Sequence, residues 1–451
     1  MQLKTTGLFA LLLTLSQAHA EDWPQWLGSK RDGIWRETGI LKKFPKGGPK
    51  VLWRAPLGGG YSGPAVVGDH VYVTDRQLAD GVRLPRNQFS TTPLKGTERV
   101  LCLDAKNKGK VLWKKEYPCT YRISYAVGPR ATPVVDNGKV YSLGAMGDLL
   151  CLNAKNGEVV WSKNFVKDYG ASVPYWGFAA HPMIDGDNLI CLVGGKGSVA
   201  VAFNKNTGKE VWKSLTLPRG EIGYCPPMIF EAGGKRQLII WHPTSVNSLD
   251  PKTGNPYWSV PFNVRANLTI PTPRMEDNIL FMTSFYNGTM AVLLSKDKPA
   301  ARRLWKGTGR GERPRVTKDL HSIMSTPFME DGYVYGIGSY GEFRCLEAKT
   351  GKRVWTSMKA TGTKQVERDR WNNAFLVRHE KDCFLFTERG ELVICQVSPK
   401  GYKELSREKI LEPTTNAMGL RRVVWSHPAF ANQAMYARND KEIVCVSLKA
   451  K

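Results

Sequence analysis

Short apolar runs and turn residues alternate along most of the chain in one repeating order. Val66-Val67-Gly68-Asp69-His70-Val71-Tyr72-Val73 and Val134-Val135-Asp136-Asn137-Gly138-Lys139-Val140-Tyr141 each read as two short strands around a tight turn. Downstream, a third apolar strand runs into Asp or Asn, a turn and Gly, and then into a fourth strand that ends in Trp. The segments CLDAKNKGKVLW, CLNAKNGEVVW, AFNKNTGKEVW, SLDPKTGNPYW and CLEAKTGKRVW close on Trp113, Trp161, Trp212, Trp258 and Trp355. A looser copy closes on Trp305, and Trp53 holds the same place near the N-terminus. From Trp113 to Trp355, successive copies lie 46 to 51 residues apart, and half of the 14 tryptophans occupy this position. The glycine supplies the positive φ of a hairpin, and Asp or Asn favours the start of the turn.

Four antiparallel strands, a to d, in such a period have the size of a β-propeller blade. Proline marks the start of strand a at Pro64, Pro133, Pro182, Pro227, Pro273, Pro327 and Pro428, as suits an inner edge strand. Asn373-Ala374 takes that place in the seventh unit, which also lacks the strand-d tryptophan. The count is eight, and the eighth unit stops after Val446-Ser447-Leu448 without a strand d. Lys50-Val51-Leu52-Trp53-Arg54 supplies the missing strand. The fold expected is all-β: a single eight-bladed propeller closed by pairing of the N-terminal strand with the C-terminal blade, which removes an open sheet edge.

The ends and the charge add to this picture. Lys4, the apolar run Gly7 to Leu15 and Ala18-His19-Ala20 read as a cleavable secretory signal. Residues 1–20 are then the signal, 21–48 an N-terminal extension and 49–451 the propeller. No cysteine follows the cut, and no other run reaches transmembrane length. The product is expected to be soluble, in the periplasm or outside the cell. A net charge of +25 suits anionic partners or plain solubility, and export argues against nucleic acid. Of nine cysteines, Cys102, Cys151, Cys345, Cys395 and Cys445 share one repeat position, which reads as core rather than disulfide.

The D-A-K-T-G-K-x-x-W pattern and the eightfold count resemble the pyrroloquinoline-quinone (PQQ) repeat superfamily. That superfamily includes quinoprotein alcohol dehydrogenases and the scaffold lipoprotein of outer-membrane β-barrel assembly. Asp22-Trp23-Pro24-Gln25-Trp26 and Arg31-Asp32-Gly33 resemble a bacterial branch of PQQ-binding-like propellers. The resemblance implies that Trp53, Trp113, Trp161, Trp212, Trp258, Trp305 and Trp355 dock against a neighbouring blade. It also implies PQQ with calcium as the cofactor of the dehydrogenase members. The adjacent cysteine pair common in those enzymes is absent here, as are haem-attachment and common hydrolase or phosphate-loop motifs. No cofactor, metal or catalytic residue is expected; Asp319, Glu221 and Asp369 are isolated candidates for a base that read rather as surface charges.

Candidate ligand residues come from the d-to-a loops, which emerge on one face of a propeller. They are Tyr125, Arg130, Trp176, His181, Tyr224, Arg265, His321, Arg370, Trp371, Arg421, Arg422, Trp425 and His427. Aromatics beside arginines suit a planar or sugar-like anion, or else plug the channel. Arg370, Arg421 and Arg422 are expected to converge as a cluster short of counter-charges. His181 and His427, three blades apart, are expected to stand far from each other. The insertion Asp75 to Glu98 reads as a flap over this mouth or as a loose excursion. Three functions remain open. One is a non-enzymatic scaffold or ligand-binding propeller of the cell envelope, whose partner is an envelope protein, an anionic glycan or a small anion. The second is a PQQ- and calcium-dependent dehydrogenase with a degenerate site. The third is binding or processing of acidic polysaccharide. The oligomeric state is not legible.

Overall fold

The computed structural model describes residues 21–217, 222–307, 311–363, 369–417 and 421–450. The expected signal and Glu221 lie outside the described residues. Eight four-stranded antiparallel sheets form the ring, as the repeat count requires. Blade 2 shows the unit, with Val134–Asp136, Lys139–Leu143, Asp148–Asn153 and Val159–Asn164 pairing in order as strands a to d. The proline immediately precedes strand a in seven blades, which begin at Ala65, Val134, Met183, Met228, Arg274, Phe328 and Ala429. Ala374 begins the remaining one. The N-terminal strand Val51–Pro56 pairs with Glu442–Ser447 of blade 8, placing Trp53 opposite Cys445. Ring closure therefore follows the expected route. The five repeat-position cysteines are all buried in strand c.

The tryptophans and the turn glycines turn out to be two halves of one joint. Nε1 of Trp53, Trp113, Trp161, Trp212, Trp305 and Trp355 donates to Ala105, Ala154, Lys205, Pro251, Ala348 and Ser398 carbonyls, at 2.7 to 3.1 Å. Each acceptor lies in the c–d turn of the next blade. In five of these joints, all but that of Trp355, the indole covers the turn glycine: a Cβ on Gly157 would come within 2.4 Å of Trp113, and one on Gly208 within 2.7 Å of Trp161. Both glycines also have φ near +70° (75° and 70°). A side chain there meets backbone strain and a clash together. Trp258 departs from the expected docking. Its Nε1 donates to Gln237 Oε1 of its own blade at 2.6 Å. The turn it faces, Ser295 to Ala300, contains no glycine for an indole to cover.

Residues 21–48 close one mouth of the channel. Trp23 bridges to Val66 in blade 1, and Val135 N of blade 2 donates to Pro24 O. Buried Arg31 donates to Pro182 O of blade 3 at 2.9 Å and to Pro227 O of blade 4 at 3.4 Å. Arg274 of blade 5 donates to Arg31 O, and Arg378 of blade 7 exchanges backbone bonds with Gly33 and Trp35. Gln433 N of blade 8 donates to Glu37. Inner strands offer unpaired backbone groups toward the axis, and this segment pairs with such groups in blades 1, 2, 3, 4 and 7. Trp23 and Trp35 are almost wholly buried (1% and 0% exposed), so the segment is core rather than appendage.

Candidate functional site

The opposite mouth is a cavity of about 470 Å³. Every d-to-a connection contributes to its wall: Tyr61, Tyr125, Trp176, Tyr224, Leu268, Met324, Trp371 and Trp425, in ring order. Phe89 enters from the b–c insertion of blade 1 and Tyr286 from the short b–c turn of blade 5. Eleven of the 21 lining residues are Phe, Tyr or Trp, and none is Asp, Glu, Asn, Gln, Ser, Thr, Cys or Lys.

The rings are packed edge to face. Phe89 stands T-shaped to Tyr125 and to Trp371, with centroids 5.4 and 5.8 Å apart. Tyr175 and Trp176 are T-shaped at 4.8 Å. The blade-1 insertion is tied down, because Tyr125 N and Ser124 Oγ donate to Gln88 O and Tyr175 Oη donates to Phe89 O. Its outer parts are not all flap. Strands His70–Leu78 and Gly96–Asp104 extend into it, and Asp75 is buried against Arg99. Tyr125 and Trp371 sit at φ +52° and +65°. Bulky residues adopt this region only when their surroundings impose it, at about 1–3 kcal/mol each.

The floor of the cavity is Trp26, carried in by the N-terminal segment. It stacks on His181 at 4.0 Å and leans on His427 at 4.6 Å. The expected wide separation of the two histidines is thus corrected: strand-a ends meet near the axis, where steps around the ring span little distance. His181 Nδ1 accepts from Thr132 N at 2.8 Å. Burial, then neighbouring Arg31 and His427, holds His181 well below its usual pKa. Burial pushes His427 down to about 3. Both rings are neutral aromatic surface near pH 7.

Nine of the thirteen expected residues line the cavity: Tyr125, Arg130, Trp176, His181, Tyr224, Arg370, Trp371, Trp425 and His427. The other four do not. Arg265 is exposed, with its guanidinium over the Tyr286 ring at 4.7 Å. His321 is buried, with Nδ1 on Phe285 O and Nε2 on Asp319 Oδ1 at 3.1 Å. Asp319 is therefore no surface acid; it also accepts from Thr289 N. Arg422 faces a separate surface depression beside Arg54 and Lys441.

The expected arginine cluster forms only in part and is not short of counter-charges: Arg421 donates to Arg370 O at 2.8 Å, while Arg422 faces elsewhere. Arg370 pairs with Glu312 at 2.8 Å while its guanidinium covers Trp371 at 4.8 Å. Arg421 pairs with Glu388 at 3.1 Å and with Asp369 at 3.5 Å. Asp369, beside Arg370 in sequence, was a foreseeable partner; Glu312 and Glu388 come from other loops, and sequence distance concealed them. Glu388 also accepts from Trp425 Nε1 at 3.0 Å. Burial pushes its carboxyl up to about 7 against the opposing pull of Arg421.

Trp26, Tyr61, Tyr286 and Phe375 line the cavity without having been singled out as site residues. Tyr61 precedes Ser62-Gly63-Pro64, so the d-to-a rule that found Tyr125 would have found it. Trp26 gave a signal in its motif but was assigned to an extension. Among the described residues no group of three or more His, Cys, Asp or Glu is placed to hold a metal, and no helix is long and apolar enough to cross a membrane.

Comparison with known proteins agrees with the fold. The chain is 23% identical over 234 residues to outer membrane protein assembly factor BamB of Shewanella oneidensis, covering 50% of this chain and 56% of that protein. It is 28% identical over 158 residues to the quinoprotein ethanol dehydrogenase of Pseudomonas aeruginosa, covering 30% and 23%. The matched part is thus little more than half of the first relative and under a quarter of the second. Among solved structures, BamB from Moraxella catarrhalis superposes with a TM-score of 0.55 at 15% identity, covering 89% of this chain and 98% of that one. The quinohemoprotein alcohol dehydrogenase of Comamonas testosteroni gives 0.61 at 12% identity, covering 95% and 81%. At such identities the superpositions establish the fold alone. The PQQ-type repeat family described as "Outer membrane protein assembly factor BamB" matches residues 96–357 and 244–451, which together span most of the sequence, and the chain belongs to that family.

Proposed function

We propose that this is an exported propeller of the cell envelope that binds a ligand at its open mouth and does not turn it over. One observation carries the reading: the cavity wall offers no carboxylate, amide, aliphatic hydroxyl or thiol side chain. General acid–base and nucleophilic catalysis draw on such groups, on an available histidine or on tyrosine, and burial pushes Tyr61 well above its usual pKa and Tyr125 up to about 12, so both keep their protons. Here both histidines are buried and face Trp26. Calcium takes carboxylate and carbonyl oxygens, so the side chains at this mouth do not fit the ion that accompanies PQQ in dehydrogenases. Export rests on the N-terminal signal pattern, and an envelope location on the names of the BamB relatives. On that basis, an envelope protein partner for the outer surface belongs to the same reading.

The test is equilibrium titration of the intact mature protein with PQQ and calcium, followed by dye-linked alcohol oxidation. The reading expects no calcium-dependent complex and no oxidation above the protein-free rate. A stoichiometric calcium-dependent complex that oxidises alcohols would replace it with the dehydrogenase reading.

A further inference from the structure

The cavity wall carries two arginines, and they are not equivalent. Arg370 spends its charge on Glu312. Arg130 has no such partner: its guanidinium donates to the carbonyls of Gly128, Ser124 (2.9 Å) and Tyr125 (2.8 Å) and covers Tyr61 at 5.1 Å. Among the described residues no carboxylate forms an ion pair with it within 4.0 Å. Three carbonyls fix the plane of the guanidinium without cancelling its charge, at the rim of a nearly apolar chamber. A fixed cation of this kind favours one anionic group far more than it would in water.

The remaining wall narrows the choice. Sugars take their hydroxyl hydrogen bonds chiefly from carboxylate and amide side chains, and the wall provides neither; its polar groups are two arginines, two buried histidines and five tyrosines. A cation meets two arginines and a chain of net charge +25. A tricarboxylate such as PQQ meets a single uncompensated charge. Flat rings, in contrast, find aromatic faces and edges all round. A volume near 470 Å³ lies within the range of pockets that enclose small organic ligands.

We infer that the cavity takes a flat aromatic monocarboxylate of two or three rings, with the carboxylate on Arg130 and the rings against the aromatic collar. This rests on the binding reading above and specifies its ligand class. Naphthoate is the probe, with its neutral amide, decanoate, maltotriose and PQQ with calcium as comparisons. Tryptophan fluorescence and calorimetry report on the intact mature protein. One naphthoate should bind per chain, about tenfold to a hundredfold tighter than naphthamide, as befits a hydrogen bond to a charged group. Arg130→Gln should remove that preference by weakening naphthoate alone, and Arg130→Lys should keep part of it. If Arg130→Gln does not fold, the naphthoate-to-naphthamide ratio of the unaltered protein still decides. Equal affinity for acid and amide overturns the assignment of Arg130. Tighter binding of decanoate, maltotriose or PQQ overturns the ligand class but leaves a binding propeller. Binding of none of the probes overturns the ligand class, whereas alcohol oxidation with PQQ and calcium overturns the binding reading itself.

Discussion

The two mouths of this channel are built from opposite materials. One is sealed by a segment that trades backbone hydrogen bonds with the inner strands and buries Arg31 among carbonyls. The other is left open and lined with rings whose polar neighbours are mostly engaged behind the wall. In the sealed mouth, side chains satisfy the fold. In the open mouth, the aromatic side chains face a cavity instead of backbone partners. Stability and ligand capture should therefore separate when the two are mutated.

The largest effect is expected from deleting Glu21 to Leu57. It removes both the seal and strand d of blade 8, and should abolish the soluble folded monomer through the exposed edge of Glu442–Ser447. Deleting only Glu21 to Lys30 leaves that strand. The chain should still fold, with a lower melting temperature, because Trp23 and Trp26 are lost from the seal. Size-exclusion chromatography and melting curves distinguish the two, and equal behaviour would remove ring closure from the account.

Next come the inter-blade joints. Trp212→Ala should cost ~3–5 kcal/mol, as for a large buried aromatic. Trp371→Ala at the open mouth should cost less than half of that, since truncation also makes relief of its left-handed backbone easier. Denaturant unfolding compares them, and equal losses would make Trp371 a structural residue. The glycine beneath the indole sharpens the point. Gly157→Ala meets Trp113 at 2.4 Å, whereas Gly68→Ala, also at positive φ, meets nothing within 4 Å. The second should lose about 1 kcal/mol for backbone strain, and the first at least twice as much.

The smallest effect is local and depends on pH. Glu388, with a folded pKa near 7, is raised above its unfolded value, so its contribution to stability is greatest when protonated. That contribution falls as pH rises from about 4.5 through 7. Buried His181 and His427 act in the opposite sense, losing stability as pH falls below about 6.5. A global melting curve mixes the two. Fluorescence of Trp425, whose Nε1 donates to Glu388, should titrate near pH 7 and cease to do so in Glu388→Gln. Persistence of that titration in the variant would assign it to another group.

Much of the fold was legible because the repeat states its mechanics. The turn glycines, the strand-a prolines and Trp53 near the N-terminus give blade count and closure without long-range information. Trp258 escaped because its Nε1 finds Gln237 in its own blade, a partner the repeat pattern does not mark. The site was legible where position in the repeat sufficed, as for Trp176, Trp425 and His427. It failed where charge balance decided. Asp369 was legible as a partner and does reach Arg421, but Glu312 and Glu388 reach Arg370 and Arg421 from different loops and were not foreseen. The distance between His181 and His427 was misjudged because ring steps shrink toward the axis, where Trp26 joins them.

The most direct measurement pairs melting temperature with naphthoate affinity in the double variant Trp176→Ala, Trp371→Ala, beside Trp23→Ala in the seal. The account predicts that the double variant loses at least tenfold in affinity while melting close to the unaltered protein. Trp23→Ala should melt markedly lower and keep its affinity. A double variant that melts as low as Trp23→Ala and still binds naphthoate normally would contradict it.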